Sequence, residues 1–268
     1  MSVVQAIVLG IVQGLTEFVP ISSSGHLVIV PAALGWDSPG LSFDVLLHAA
    51  SLIALLIYFS GDLLDLVRGA LAGDRDQRHL AALLLIGTIP AGLAGLLLGN
   101  LFEEQFEDAK GAALQLLITA AILVVAELAL RYHQGKRAHH GQDLRRMKDL
   151  DAVDAGLVGV AQALAIVPGI SRSGSTIAAG LARGVSREAS ARFGFLLAIP
   201  ALFGAALVKL PDLAEGSVGF GSGLGGFVAS LIASYVAIAA LIKYLKNRTL
   251  YPFAAYCVVA SIVFYIIL

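Results

Sequence analysis

Two short polar runs interrupt an otherwise apolar chain, and both carry residues that could do chemistry. The first reads Gln13-Gly14-Leu15-Thr16-Glu17-Phe18-Val19-Pro20-Ile21-Ser22-Ser23-Ser24-Gly25-His26. Gln13 and Glu17 are four apart, so a helix places them on one face. A carboxylate inside an apolar segment costs at least about 2.5 kcal/mol on insertion scales, which marks Glu17 as functional unless it reaches interfacial water from a helix end. His26 alone would read as a satisfied core histidine; beside Glu17 and the serines it reads as an acid/base. The second run, Val167-Pro168-Gly169-Ile170-Ser171-Arg172-Ser173-Gly174-Ser175-Thr176, holds Arg172 in a turn of small residues. A guanidinium stays charged and offers a planar fork of donors that matches phosphate oxygens. Gly169 and Gly174 let backbone N–H groups approach an anion, while Ser171, Ser173 and Thr176 add hydroxyls. The helix that opens at this turn favours negative charge at its N-terminus. Arg172 could instead be only a structural partner for Glu17, and small residues also serve close helix packing in membranes.

One carboxylate, one imidazole, one guanidinium and a ring of hydroxyls and amides suit a phosphorylated group. Glu17, with the Gln13 carbonyl beside it, could hold a divalent cation, Mg2+ or Ca2+, that bridges phosphate oxygens. With charge neutralised by that ion and by Arg172, a hydroxyl or water could attack phosphorus. Ser22, Ser23 and Ser24 are the candidate nucleophiles, and His26 is the candidate general base or acid.

Positioning such groups falls to the apolar elements around them. The chain has 268 residues, 58% hydrophobic and 14% charged, with a mean hydropathy of +0.85. Soluble domains carry roughly 25% charged residues, so the solvent here is mostly lipid. The formal net charge is −1, and the basic residues crowd into short loops, a pattern of membrane topology and not of nucleic-acid binding. Cys257, the only cysteine, lies in an apolar run and excludes an intrachain disulfide. The first twelve residues contain no Lys or Arg, so they read as mature protein and not as a signal peptide.

Six stretches are long enough to span a ~30 Å hydrocarbon core, at about 20 residues each: roughly 43–60, 80–101, 111–130, 193–210, 220–242 and 250–268. Two more, 3–34 and 153–182, are broken near the middle by the polar runs, as in re-entrant hairpins that line a polar cavity. A shift of 149 residues superposes Gly10 on Gly159, Gln13 on Gln162, Leu15 on Leu164, Ile21 on Ile170, Ser22 on Ser171, Ser24 on Ser173 and Gly25 on Gly174. This is an internal repeat. The halves, about 1–131 and 153–268, are joined by a cytoplasmic loop, 132–152. Each contains one hairpin and three spans, an odd number, so the repeat is inverted. The expected fold is therefore an all-α integral membrane domain with six transmembrane helices and two re-entrant hairpins. Loops 61–79, 131–152, 183–192 and 243–249 hold fifteen of the eighteen Lys and Arg residues and are placed inside. Lys110, Lys209 and the acidic run Glu103, Glu104, Glu107 and Asp108 are placed outside. The first hairpin then opens from outside and the second from inside, with both termini outside.

These residues resemble a known family, the undecaprenyl pyrophosphate phosphatases that confer bacitracin resistance. The family's first motif is matched by Gln13 to Glu17 and the Pro20 to His26 run, and its Pro-Gly-x-Ser-Arg-Ser-x-x-Thr motif by Pro168 to Thr176. Similarity extends to Phe43-Asp44-Val45 with His48, to Gly87-Thr88-Ile89-Pro90, and to Ser186-Arg187-Glu188 leading into Phe193. The resemblance implies hydrolysis of undecaprenyl diphosphate to undecaprenyl phosphate and phosphate, recycling the lipid carrier for peptidoglycan and other cell-wall glycans. It implies the bacterial plasma (inner) membrane as the location, with the site open to the external, periplasmic side. By position, Glu17 would contact the metal, Arg172 the diphosphate, Ser23 would be the nucleophile and His26 its acid/base partner. Gln13 stands where many members have a glutamate, and an amide cannot act as a base. The competing class is a secondary transporter or flippase for a phosphorylated lipid, since broken helices in inverted repeats are also a transporter signature. A structural membrane protein would leave Glu17 and Arg172 unexplained. The preferred prenyl length and a homodimer both stay open at this level.

Overall fold

In the computed structural model, residues 1–38, 40–102, 108–209 and 218–268 are described. The expected acidic residues Glu103, Glu104 and Glu107 lie outside them. Among the described residues the secondary structure is helical, apart from one isolated bridge between Arg145 and Val185. The helices are α1 (Val3–Phe18), α2 (Ser23–Ala33), α3 (Leu41–Tyr58), α4 (Ser60–Ala72), α5 (Arg75–Phe102), α6 (Ala109–His139), α7 (Ala152–Leu164), α8 (Arg172–Ala182), α9 (Arg187–Val208), α10 (Phe220–Leu245) and α11 (Tyr251–Ile267). Five of them, over Leu41–Tyr58, Arg75–Leu97, Ala109–His139, Arg187–Val208 and Phe220–Leu245, are long and apolar enough to cross a membrane. The sixth expected stretch folds as α11, which has 17 residues. Large apolar side chains such as Leu85, Val125, Ile232 and Ile266 are exposed, as a lipid-facing surface requires.

Both interrupted segments form a helix, a break and a second helix. The helices have 16 and 11 residues in the first segment and 13 and 11 in the second. At about 1.5 Å per residue neither member of a pair spans a bilayer comfortably by itself. Pro20 ends the first helix by forcing Val19 to an extended ψ of 135°. Ser22, at φ 72°, then caps α2 by accepting a hydrogen bond from the Gly25 amide at 3.3 Å. In the second segment Gly169 takes φ 88° after Pro168, and Ser171 caps α8 by accepting from the Gly174 amide at 3.0 Å. The two caps are the serines that the sequence repeat superposes.

Helix packing follows the same repeat. α1 lies against α10 so closely that a Cβ at Gly10 would come 2.3 Å from the Gly226 carbonyl oxygen. α7 lies against α5, where a Cβ at Gly159, the superposed position, would come 2.3 Å from the Gly87 carbonyl oxygen. Small residues allow this backbone approach where lipid supplies no hydrophobic drive for association.

The loops differ from expectation in two places. Residues 61–79 include α4, which carries Leu64, Val67 and Leu71 exposed against Asp62, Asp65 and Arg68. Its 13 residues are too few and too mixed to register as a span, yet their helical spacing gives one apolar face. α6 also continues to His139, beyond the expected end near 130. Several loop cations are paired within the fold. Arg145 and Arg183 both bind the fully buried Asp154. Arg187 grips Glu127 with two hydrogen bonds of 2.8 and 2.5 Å, and Glu127 in turn accepts from the Leu250 amide at the start of α11.

Candidate active site

The breaks of the two hairpins meet. A Cβ on Gly25 would come 3.0 Å from Gly169 Cα, Ser173 Oγ donates to the Val19 carbonyl at 3.3 Å, and Gly174 faces Pro20. Phe18 fixes the end of α1 by packing edge-on against Phe195, with ring centroids 5.4 Å apart. Its neighbour Glu17 thereby turns into the junction. Arg172, the first residue of α8, donates through Nη2 to Glu17 Oε1. Glu17 Oε2 accepts from Gln13 Nε2 at 2.9 Å and from Ser23 Oγ at 2.5 Å. The Glu17 side chain is 3% exposed, and this set of donors and one countercharge is what a buried carboxylate needs. Arg172 and Ser23 are only part-buried, so they stand between the carboxylate and any entering group.

His26 is held elsewhere. Its Nδ1 lies 2.7 Å from the Ser22 carbonyl oxygen and its Nε2 2.9 Å from the Tyr256 hydroxyl on α11. A carbonyl oxygen only accepts, so Nδ1 carries the hydrogen and Nε2 of the neutral ring accepts from Tyr256. The structure thus brings Ser23 to Glu17 and not to His26, although serine and histidine share the first turn of α2. His26 instead bolts down Ser22, the one non-glycine residue at positive φ among the described residues. Ser22 is committed to its cap, and Ser24 contacts Ser22 at 3.4 Å, so of the three serines only Ser23 reaches the carboxylate.

In the second break Thr119 of α6 clamps the turn: its hydroxyl donates to the Gly169 carbonyl at 2.8 Å and accepts from the Ser171 amide at 2.9 Å. Ser171 and Ser173 face each other at 3.2 Å. Thr176 turns its hydroxyl back to the carbonyls of Arg172 and Ser173, both at 3.1 Å, which makes it a helix-stabilising group here. Thr119 and Tyr256 were missed by sequence reasoning. A threonine within an apolar span was an available signal; the hydroxyl of Tyr256, 230 residues from His26, gave none.

Two observations bear on a cation. Gln13 is fully buried and its Oε1 accepts no hydrogen bond, so an oxygen ligand stands ready beside the carboxylate. Among the described residues no three of His, Cys, Asp or Glu converge as a metal cage. An ion there would need phosphate oxygens and water to complete its shell, as Mg2+ commonly does. A cavity of about 370 Å3, lined by Gln5, Leu9, Trp36, Asp37 and Ser42 among others, opens between the starts of α1 and α3. It lies toward the N-terminal end of α1, with Leu9 one turn before Gln13, and does not enclose the Glu17–Arg172 pair, which fills the junction itself.

Comparison with known proteins agrees with these motifs. The family model described as Bacitracin resistance protein BacA matches residues 6–263. A protein named undecaprenyl-diphosphatase from Methanosphaera stadtmanae is 39% identical over 279 residues, covering 98% of this chain and 97% of the relative. One of the same name from Gloeobacter violaceus is 43% identical over 262 residues, covering 94% and 87%. Another from Marinobacter nauticus is 40% identical over 278 residues and covers all of both chains.

Proposed function

Because the chain belongs to the Bacitracin resistance protein BacA family, we propose that the junction of its two broken helices is the catalytic centre of an undecaprenyl-diphosphatase, with Glu17, Ser23 and Arg172 at its heart. The chain is a multi-pass membrane phosphatase that hydrolyses undecaprenyl diphosphate to undecaprenyl phosphate and inorganic phosphate and so recycles the lipid carrier of cell-wall synthesis. This decides for the enzyme over the transporter.

One observation carries the site: a single buried carboxylate accepts hydrogen bonds from both the candidate nucleophile and the candidate phosphate-binding arginine. In this reading Arg172 keeps one edge of its fork on Glu17 and turns the rest to the terminal phosphate, helped by the N-terminal amides of α8. Gly169, Gly174, Ser171 and Ser173 shape the turn that admits it, and Ser22 and Ser24 do the same for the first break. Ser23 Oγ attacks the terminal phosphorus while its proton passes to Glu17. The bond to the bridging oxygen breaks, and undecaprenyl phosphate leaves with that electron pair. Water then attacks the phosphoserine, phosphate departs, and the serine oxygen recovers a proton. His26 serves this second step as acid/base, for which its Nε2 must part from Tyr256. A divalent cation held by Glu17 and Gln13 Oε1 would neutralise developing phosphate charge. Gln13 itself contributes no second base.

For the layout we favour the inverted repeat of six spans and two hairpins, in the bacterial inner membrane with the site open to the periplasm. The loop charge bias and the paired packing of α1 on α10 and of α7 on α5 support it. Phosphate release from undecaprenyl diphosphate by detergent-purified protein, with and without chelator, tests the reading; a Ser23→Ala variant with near wild-type turnover would remove the serine from it.

A further inference from the structure

His48 lies on α3, one helical turn after Asp44, and its Nδ1 is 2.8 Å from the Asp44 backbone carbonyl oxygen. That carbonyl can only accept, so Nδ1 bears the hydrogen and Nε2 is the ring nitrogen turned to the junction. Nε2 faces Glu17 Oε2 at 3.6 Å, beyond hydrogen-bonding distance. A positive centre lying between the two atoms suits both. Two ligands each about 2.1–2.4 Å from one ion stand roughly 3.0–3.9 Å apart at angles near 90–110°, and the observed gap falls in that range. A ring whose other nitrogen donates to a backbone carbonyl is also the usual form of a metal-ligating histidine.

Two buried oxygens point the same way. Gln13 Oε1 accepts nothing, on the amide whose Nε2 already holds Glu17 Oε2. Asp44 Oδ1, on the residue that supports His48, is likewise buried without a partner. Such unsatisfied acceptors cost free energy and call for a donor or a cation.

We infer that His48 Nε2 is a ligand of the divalent cation that the proposed function places on Glu17 and Gln13, an inference that rests on that cation reading. One imidazole nitrogen among oxygen donors shifts preference from Mg2+ and Ca2+ toward first-row transition ions, so Mn2+ binds more tightly than Mg2+. His48 is thereby a residue that sets metal selectivity.

The test uses the full chain in detergent with Mn2+ and inorganic phosphate, read by electron spin echo modulation. Bound Mn2+ should show coupling to one ring nitrogen that changes when the histidines carry 15N. The coupling should vanish in His48→Gln and His48→Asn, with Mn2+ affinity falling about tenfold or more and the Mn2+ over Mg2+ preference shrinking. Mn2+ that binds without nitrogen coupling in the wild-type protein overturns the role of His48 and leaves the cation reading standing. Coupling that persists in a folded His48 variant also overturns it. No Mn2+ binding together with full hydrolysis in chelator defeats the cation reading itself.

Discussion

Replacing Glu17 by glutamine changes one oxygen to an NH2 group and deletes one charge at the point where three donors converge. Oε1 faces Arg172, and Oε2 faces Gln13 and Ser23. Whichever way the new amide turns, its NH2 meets a donor. In either orientation a guanidinium whose side chain is only 21% exposed loses its countercharge, and if the NH2 meets Arg172 their hydrogen bond goes as well. Stripping one partner from a buried pair costs about 3–5 kcal/mol, and the partial exposure of Arg172 lets water recover part of it. If it meets Ser23 and Gln13, two hydrogen bonds lose their charged acceptor, and the weaker neutral ones that replace them need the Ser23 hydroxyl and the Gln13 amide to reverse. Either way Ser23 loses the group that takes its proton, a contribution of about 10²–10⁴ in rate. Phosphate release from undecaprenyl diphosphate should therefore fall at least a hundredfold, and the detergent-solubilised protein should melt at a lower temperature. Gln13→Ala removes one hydrogen bond to the same oxygen and one neutral ligand of the proposed cation, but no charge and no base, so it should cost less than Glu17→Gln. A Glu17→Gln variant within threefold of wild type, or a Gln13→Ala variant that is the worse of the two, would refute the assignment.

Single cysteines at Ala109 and Ala138, in a background lacking Cys257, sit at the two ends of α6, a helix of 31 residues and so about 46 Å long. They should label from opposite sides of sealed vesicles, with Ala109 external, and labelling from one side would sink the inverted arrangement. On α7, Gly159→Ala drives a Cβ to 2.3 Å from the Gly87 carbonyl and should lower the melting temperature by several degrees, whereas Gly156→Ala meets nothing within 4 Å and should not lower it. Ser23→Ala should bind diphosphate yet turn over orders of magnitude more slowly, and the Ser23→Ala/His26→Ala double variant should be little worse than the single serine variant in steady-state hydrolysis. Tyr256→Phe frees His26 Nε2 without touching phosphate, so it should alter the second chemical step more than substrate affinity, as a burst of undecaprenyl phosphate would reveal.

The parts of this fold legible in the sequence are those whose causes are local. The Pro and Ser clusters mark a break within each interrupted stretch, and the structure places a helix end there with Ser22 and Ser171 capping α2 and α8. The repeat read at an offset of 149 has a counterpart in the packing, where Gly10 and Gly159 both bring a helix onto a carbonyl. What escaped is set by partners that no local rule supplies. α4 was hidden because its 13 residues mix acids with leucines, too short for a span and too apolar for a loop. Ser23 and His26, three apart on one helix, look like a dyad on paper. The backbone oxygen of Ser22 captures the histidine first, because the carbonyl four residues back lies within reach of a helical histidine's Nδ1, as the Asp44 carbonyl does for His48.

The meeting of the two breaks was nevertheless legible across a long stretch of chain. Glu17 and Arg172 are 155 residues apart, and nothing in spacing or propensity links them. What links them is cost: each charge is prohibitive at membrane depth by itself, and each lies in a break that carries a repeat-related serine cap. A sequence that keeps both charges and the repeat has one economical arrangement, in which the two breaks meet. His48 lacked that force, because a neutral imidazole can be buried alone at modest cost. It becomes informative only once Asp44 is seen to hold its Nδ1 and its Nε2 is found facing a carboxylate.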